Sequence, residues 1–532
     1  MRSIKLLDCT LRDGGYINDW LFGQSTIICI FERLVNANVD IIEVGFLDDR
    51  RKFDINRTIQ PNTACFDRVF RGCNKKQSQV FAMIDYGTCD INNISECKDS
   101  FIDGIRVIFK KPNMKGAVEF SKLLMEKGYK VSLQLVSVTS YSDRDILDLI
   151  DLINQINPYA VSMVDTYGLM HREEMLHYFD LLDYNLNQDI VIGYHSHNNF
   201  QLGYANEIEM LKRITTRGLL VDGTAYGMGK SAGNAPLELL AMHLNENYNG
   251  NYDIDQILEI IDSNIMKIYR EHYWGYSLLY FLAASNDCHP KYIEYLLSKK
   301  TLSVKAINTI VKNIDTNLRL NYDEELIEQL YINYQKRITY KNGSIKKLEK
   351  SLKGKEILLI APGKSIVNEE SKIKEYIYIN KPVVISANCI PEKYKLDYVF
   401  ISNSKRYSML FINYKEIQNT CKIIATSNVL SVDKPFDIVV SYDALRDDNN
   451  YIGDNSVIML IKLMMTIGVE KISLAGFDGF SANMTENYYN EYMEYAADIE
   501  RLLMVNDAIK NKIKVLTSQI ELNFITESLY RS

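Results

Sequence analysis

The chain has 532 residues, of which 47% are hydrophobic and 24% charged, enough apolar sequence for two or three cores and too much for a disordered chain. Its formal net charge of −7 is opposite to the basic excess of nucleic-acid-binding surfaces, so no nucleic-acid partner is expected. The nine cysteines are scattered, with no C-x-x-C pair, which argues against a disulfide framework and against a multi-cysteine zinc site. Reduced thiols fit a cytoplasmic protein. Met1-Arg2-Ser3-Ile4-Lys5 lacks the apolar core of a signal peptide, and no run of about 18 apolar residues is present to span a membrane.

Through the first 285 or so residues, short β-branched runs alternate with amphipathic stretches. The runs at 4–9, 39–45, 80–84, 104–109, 130–136, 160–164, 190–194 and 219–224 are nearly continuous in apolar character, as parallel strands buried on both faces are. Helical periodicity fills 25–37, 114–128, 143–156, 172–184 and 204–217 between them. Eight such units predict a (β/α)8 TIM barrel over 1–285, in preference to an open doubly wound sheet. From 286 to 350 the pattern is helical, with Pro290 suited to a first turn, and reads as a helical connector. From 351 to 532 apolar strands return at 357–360, 383–386, 398–401, 423–425, 438–440 and 472–474. They predict a second, Rossmann-like three-layer α/β domain.

Polar residues gather where the barrel strands end, on the face where barrels assemble their chemistry. Asp13 follows the first strand and His195-Ser196-His197-Asn198-Asn199 the seventh. Alternate residues of a strand share a side, so His195 and His197 can reach one ion together with Asp13. A carboxylate with two imidazoles suits a catalytic Mn, Mg, Co, Fe or Zn ion with open positions. Arg12 beside Asp13 reads either as a salt bridge at the mouth or as a guanidinium that stabilises a developing enolate oxygen. After the eighth strand, Gly227-Met228-Gly229-Lys230-Ser231-Ala232-Gly233-Asn234-Ala235-Pro236 lacks P-loop spacing. Gly229 allows close backbone approach to a ligand, and Asn234 either orients a metal ligand or lends the ion a neutral oxygen. Glu43, Arg106 and Asp165, near the ends of other strands, are candidate substrate contacts.

The ordered motifs L-D-x-T-L-R-D-G, I-E-V-G-F, D-T-Y-G, H-x-H-N-N and G-x-G-x-x-A-G-N-A-P-L-E resemble the pyruvate-linked, metal-dependent TIM-barrel lyases. That group includes 4-hydroxy-2-oxovalerate aldolase, hydroxymethylglutaryl-CoA lyase and isopropylmalate synthase. The resemblance spans about residues 1–285. It implies a divalent-metal-dependent aldolase or lyase that makes or breaks a carbon–carbon bond beside a 2-oxo acid through a metal-bound pyruvate enolate. It also implies an aldehyde co-product and a homo-oligomer. Asp13, His195, His197 and Asn234 would hold the ion, with Mn2+ preferred over Mg2+, Co2+ or Zn2+, and Arg12 would stabilise the enolate. The aldolases place a histidine base three residues after the metal-ligating aspartate, whereas this chain has Tyr16. A free phenol, with a pKa of about 10, is a poor base at neutral pH. An acyl-condensing synthase is the alternative on the same barrel.

In the C-terminal region Ile357–Ile360 runs into Ala361-Pro362-Gly363-Lys364-Ser365, and an apolar helix is followed by Val469–Leu474 and Gly476-Phe477-Asp478. This arrangement resembles the bacterial sialyltransferase-like fold and a related domain of flagellin-glycosylation proteins. The resemblance implies a nucleotide or sugar-nucleotide site at Gly363, Ser365, Asn388 and Asp478, and a place in surface-carbohydrate biosynthesis. A glycosyl- or nucleotidyl-transferase is the corresponding alternative function. His289 is the last histidine, so this domain has no imidazole base.

Overall fold

The computed structural model describes residues 3–299, 302–319, 321–336, 343–413, 421–429, 436–449, 451–490, 493 and 499–531. They form two compact units, 1–290 and 291–532.

In the first unit the strands are β1 (Ile4–Asp8), β2 (Ile41–Leu47), β3 (Ile59–Gln60), β4 (Gln79–Asp85), β5 (Gly104–Phe109), β6 (Lys130–Val136), β7 (Ala160–Asp165), β8 (Val191–Ser196) and β9 (Leu219–Gly223). All pair in parallel, and β1 pairs with both β2 and β9, which closes an eight-stranded barrel. The two-residue β3 is an outlying addition beside β2 that no sequence pattern announces. Helices close over the outside. Asp143–Ile156 is typical: Ser142 and Asp145 make a reciprocal capping box, and Ile146, Leu149, Ile150 and Ile153 form the stripe that packs inward. Segments 63–69, 237–248 and 254–260 are also helical.

The barrel interior is partly polar. Arg106 lies at mid-strand in β5, level with Ser132 of β6, and both are fully buried. Burying such a side chain requires partners, and Arg106 pairs with Glu43 and Asp222.

The second unit is a seven-stranded parallel sheet of β10 (Ile357–Ile360), β11 (Val383–Ala387), β12 (Tyr398–Ile401), β13 (Lys422–Thr426), β14 (Ile438–Val440), β15 (Lys471–Ala475) and β16 (Glu521–Phe524), in the order β14-β13-β12-β11-β10-β15-β16. Alternate residues feed two cores. Ile357 and Leu359 face the helices Ser456–Thr466 and Ile499–Thr517, while Leu358 and Ile360 face the other side, where Ile373 and Tyr407 pack. This is the expected three-layer arrangement. The stretch expected as a separate connector divides differently. Leu348 and Leu352 are part of the second unit's core, and the Tyr331 hydroxyl donates to Asp454 at 2.8 Å. The apolar stripe of 343–352 finds its partner in the sheet. Positions 300–301, 320 and 337–342 of that stretch lie outside the described residues.

Candidate active site at the barrel mouth

The motif after β1 is organised first by Asp8. Its buried carboxylate accepts from the Thr10 backbone N–H at 3.1 Å and from the Thr10 hydroxyl at 2.5 Å. Thr10 Oγ1 in turn accepts from the Ala225 N–H at 2.8 Å, which ties the loop after β1 to the loop after β9. Burial raises the Asp8 carboxyl to about 7, against the hydrogen bonds from Thr10. The Asp-x-Thr spacing was visible in the sequence, but its linking role was not.

That linkage presents Arg12 and Asp13 inward. Arg12 donates through Nε to Glu43 Oε2 at 2.7 Å and through NH1 to Asp13 Oδ2. Arg106 donates to the same Glu43 oxygen at 3.0 Å, to Gln134 Oε1 at 2.8 Å and to Asp222 Oδ2. Asp222 lies 3.1 Å from Nδ1 of His195, whose Nε2 is 3.6 Å from Asp13 Oδ2. The side chains therefore close a ring: Arg12, Glu43, Arg106, Asp222, His195, Asp13. Two guanidinium groups face three carboxylates, which leaves one buried negative charge in excess.

Asp13, His195 and His197 are buried, and each offers a donor atom within 4.8 Å of the other two. His195 Nε2, His197 Nδ1 and Asn234 Oδ1 are buried without a hydrogen-bond partner. Buried polar atoms are rarely left unpaired, so three of them around one carboxylate fit a cation that completes their coordination. The Asp222–His195 contact leaves the other ring nitrogen aimed inward, as metal-binding imidazoles require. Burial opposes ionisation of Asp13, but Arg12 and the two histidines outweigh it and hold the carboxyl well below its ordinary range. Burial pushes His197 down to about 4, so its imidazole is neutral at physiological pH with a lone pair available.

Loop pairing fixes the remaining geometry. His197 bridges to Asn234, and the Asn198 N–H donates to Gly233 at 2.8 Å. Asn234 Nδ2 donates to Asp13 Oδ1 at 2.9 Å, so Asn234 orients the carboxylate while its own oxygen remains available. Gly229 makes this approach possible: a Cβ there would stand 2.1 Å from Asn234 Nδ2 and 2.5 Å from Asp13 Oδ1.

The other expected residues sit as follows. Glu43 and Arg106 are fully buried within the ring and paired with each other. Asp165 accepts from the N–H groups of Leu169 at 2.9 Å and Met170 at 3.0 Å, and so shapes the loop after β7. Tyr16 is at the mouth, 41% exposed, edge-on to Trp20 at 4.8 Å and Phe46 at 6.1 Å between ring centroids. Burial of its hydroxyl and the nearby Asp13 raise the phenol above its ordinary value. Asp222, at the end of β9, is not singled out by any sequence motif, and Lys230 stands there only as part of the glycine loop. The structure brings both to the site, Lys230 through its backbone N–H to Asp13 Oδ1 at 3.1 Å.

Residues 3–263 match the HMGL-like family model. Over the same region the chain is 24% identical across 266 residues to the oxaloacetate decarboxylase of Mycobacterium tuberculosis, covering 49% of this chain and 76% of that one. It is 22% identical across 267 residues to the 4-hydroxy-2-oxovalerate aldolase of Bacillus cereus, covering 50% and 76%. Both relatives are lyases. The solved HMG-CoA lyase of Bacillus subtilis is similar at 17% identity and a TM-score of 0.42, covering 50% of this chain and 93% of that one. The buried Asp/His/His group thus lies within the HMGL-like region. Among the described residues, no helix is long and apolar enough to cross a membrane.

In the second unit the four expected residues come to the C-terminal ends of β10, β11 and β15. Ser365 donates to Asp478 from its backbone N–H at 2.8 Å and from its hydroxyl at 2.5 Å, and lies 2.9 Å from the Thr526 hydroxyl. The Gly363 N–H donates to Gly476 at 2.8 Å, and a Cβ on Gly363 would meet that carbonyl at 2.4 Å. Asn388 pairs with Ser402 through its amide oxygen at 3.0 Å and its amide nitrogen at 3.2 Å.

Proposed function

We propose that the chain is a divalent-metal-dependent carbon–carbon lyase or aldolase that cleaves or forms a bond beside the ketone of a 2-oxo acid, with pyruvate and an aldehyde on the cleaved side. The observation that carries this reading is the set of unpartnered buried atoms on His195, His197 and Asn234 around Asp13, at the mouth of an HMGL-like barrel. Asp13, His195 and His197 hold the ion, and Asn234 lends its amide oxygen. A divalent ion bound there supplies Lewis acidity to the ketone and carboxylate oxygens of the substrate. Mn2+ is the proposed metal.

Arg12 has two of its three nitrogens committed to Glu43 and Asp13, whereas NH2 is buried without a partner. That nitrogen is placed to donate to the oxygen that gains negative charge as the carbon–carbon bond breaks. Glu43 and Arg106 act by holding Arg12 and Asp222 in place. Tyr16 offers its hydroxyl to the reacting part of the substrate, and Gly229 keeps the backbone close to it. The test is metal analysis of the purified chain with a pyruvate-release screen over 4-hydroxy-2-oxo acids. Asp13→Asn is expected to abolish both metal retention and turnover, and undiminished turnover by metal-stripped protein would overturn the reading. Acyl-CoA-dependent condensation in the same screen would select the synthase alternative.

A second reading concerns the second unit, as a nucleotide or sugar-nucleotide domain serving surface-carbohydrate metabolism. Its support is the reversal of strand order between β10 and β15, which opens a crevice at the strand ends where Gly363, Ser365 and Asp478 lie. A cleft of 1430 Å³ reaches Pro362, Asn388, Lys405, Arg406 and Arg446. Saturable binding of CMP- or UDP-sugars to the full chain, lost in Arg406→Ala, is the expected result. Absence of binding would leave this unit without a nucleotide role.

A further inference from the structure

The loop that carries Gly229 and Asn234 has an uncommon backbone. Tyr226, Gly227, Ser231 and Gly233 all have φ between +54° and +83°, in the left-handed region. Glycine adopts it freely, but a bulky residue such as Tyr226 stays there only where its surroundings hold it. Two side chains from later in the chain do so. Glu238 Oε2 accepts from the Tyr226 N–H at 3.1 Å, and Trp274 Nε1 donates to the Tyr226 carbonyl at 3.1 Å. Trp274 is buried, edge-on to Tyr269 at 4.7 Å and to Tyr226 at 6.4 Å between ring centroids. The indole also lies against the far end of the loop, since a Cβ on Gly233 would stand 3.2 Å from Trp274 Cδ1. It therefore meets the loop at both ends. Between those ends the Asn234 N–H donates to the Gly227 carbonyl at 3.0 Å, and the Asn234 side chain reaches Asp13. Trp274 itself follows the last barrel helices and lies beyond residues 3–263, which match the family model.

We propose that Trp274 is a positioning residue of the barrel site: it clamps loop 226–234 in its left-handed form and so fixes Asn234 against Asp13. Its bearing on catalysis rests on the lyase reading given above. Without the clamp, Tyr226 relaxes towards the ordinary backbone region, and Gly227 moves with it. Asn234 follows, because its N–H is bonded to the Gly227 carbonyl. The site then loses the register of the Asn234 oxygen and the hydrogen bond that orients the Asp13 carboxylate.

The experiment uses the full chain and Trp274→Phe, which keeps an aromatic ring and removes the donor. In the metal-free protein the amides of Gly227, Gly233 and Asn234 should lose hydrogen-exchange protection, while those of β1 and β9 keep theirs. Mn2+ affinity, measured by competition with a chelator, should fall about tenfold. Tyr226→Gly supplies a residue that takes the left-handed conformation unaided. The double variant Trp274→Phe/Tyr226→Gly should therefore recover both the protection and the affinity. Unchanged exchange in Trp274→Phe overturns the proposal, and so does faster exchange with unchanged Mn2+ affinity. A double variant no better than the single one also overturns it, because the indole then acts by packing alone. Faster exchange throughout the barrel marks a general loss of stability and overturns it too. If Trp274→Phe does not fold, folding of the double variant supports the clamp and its failure to fold overturns it. A wild type that binds no Mn2+, yet shows the local loss and recovery of protection across the variants, overturns the lyase reading and leaves the clamp standing.

Discussion

The two units place similar resources at similar positions and use them differently. Both are parallel sheets wrapped by helices, and both gather glycine, hydroxyl, amide and carboxylate groups at the C-terminal ends of their strands. In the second unit these groups satisfy one another: Ser365 with Asp478 and Thr526, Asn388 with Ser402. In the barrel the outer contacts are equally complete, yet His195 Nε2, His197 Nδ1, Asn234 Oδ1 and Arg12 NH2 are left over around one carboxylate. Residue type and strand-end location are shared by both regions. Unspent hydrogen-bonding capacity, held in place by its surround, distinguishes the barrel set from the strand-end set of the second unit.

The strongest way to break this contrast is to remove the carboxylate that the unspent atoms surround. Asp13→Asn should lower metal-dependent pyruvate release by about a thousandfold or more. Added Mn2+ should raise the melting temperature of the wild type by a few degrees, by mass action on the folded state, and leave the variant unmoved. Next in size is the ring of paired side chains. Asp222→Asn keeps the shape but weakens the acceptor for His195 Nδ1, and metal affinity measured by competition with a chelator should fall about 10- to 100-fold.

Asp8 tests whether the barrel's linkage residue behaves as a buried neutral acid. Its folded pKa, about 7, lies above the unfolded value, so its stabilising contribution is complete below about pH 4 and is lost as pH rises towards 7. Relative to Asp8→Asn, the wild type should therefore lose stability across that window by up to about 1.4 kcal/mol per pH unit, with little further change above it. Urea unfolding of both proteins at pH 5 and pH 7 measures the difference. The smallest effect belongs to the self-satisfied region. Ser365→Ala removes the hydroxyl that bonds Asp478 and should cost the second unit about 1 kcal/mol in urea while leaving metal binding unchanged. A change in metal affinity from this substitution would erase the contrast between the units.

Much of the fold was legible because it depends on local periodicity. Buried parallel strands need continuous β-branched runs, and β5, β6, β10 and β12 fall on the expected residues without adjustment. Helical stripes at three- and four-residue spacing were equally readable. The stripes in 286–350 said that those helices pack against something, but not against what, since an apolar stripe carries no address. The two-residue β3 was invisible because so short a strand has no period of its own. At the site, Asp13, His195 and His197 could be grouped from strand-end position and the alternation of side chains. Glu43 and Arg106 could be placed near the same face, but not at their depth.

The sequence by itself determined the strand and helix periods and the strand-end chemistry, and it grouped Asp13, His195 and His197, because these follow from periodicity and strand-end position along one chain. Tertiary structure alone decided which atoms of that set remain unpaired. The ring from Arg12 through Glu43, Arg106, Asp222 and His195 back to Asp13 joins residues up to 210 positions apart, and only barrel closure brings them together. Closure also brings the Lys230 backbone N–H onto Asp13 Oδ1 at 3.1 Å. Whether a charge is spent or available depends on every neighbour within a few ångströms, and most of those neighbours are remote in the chain.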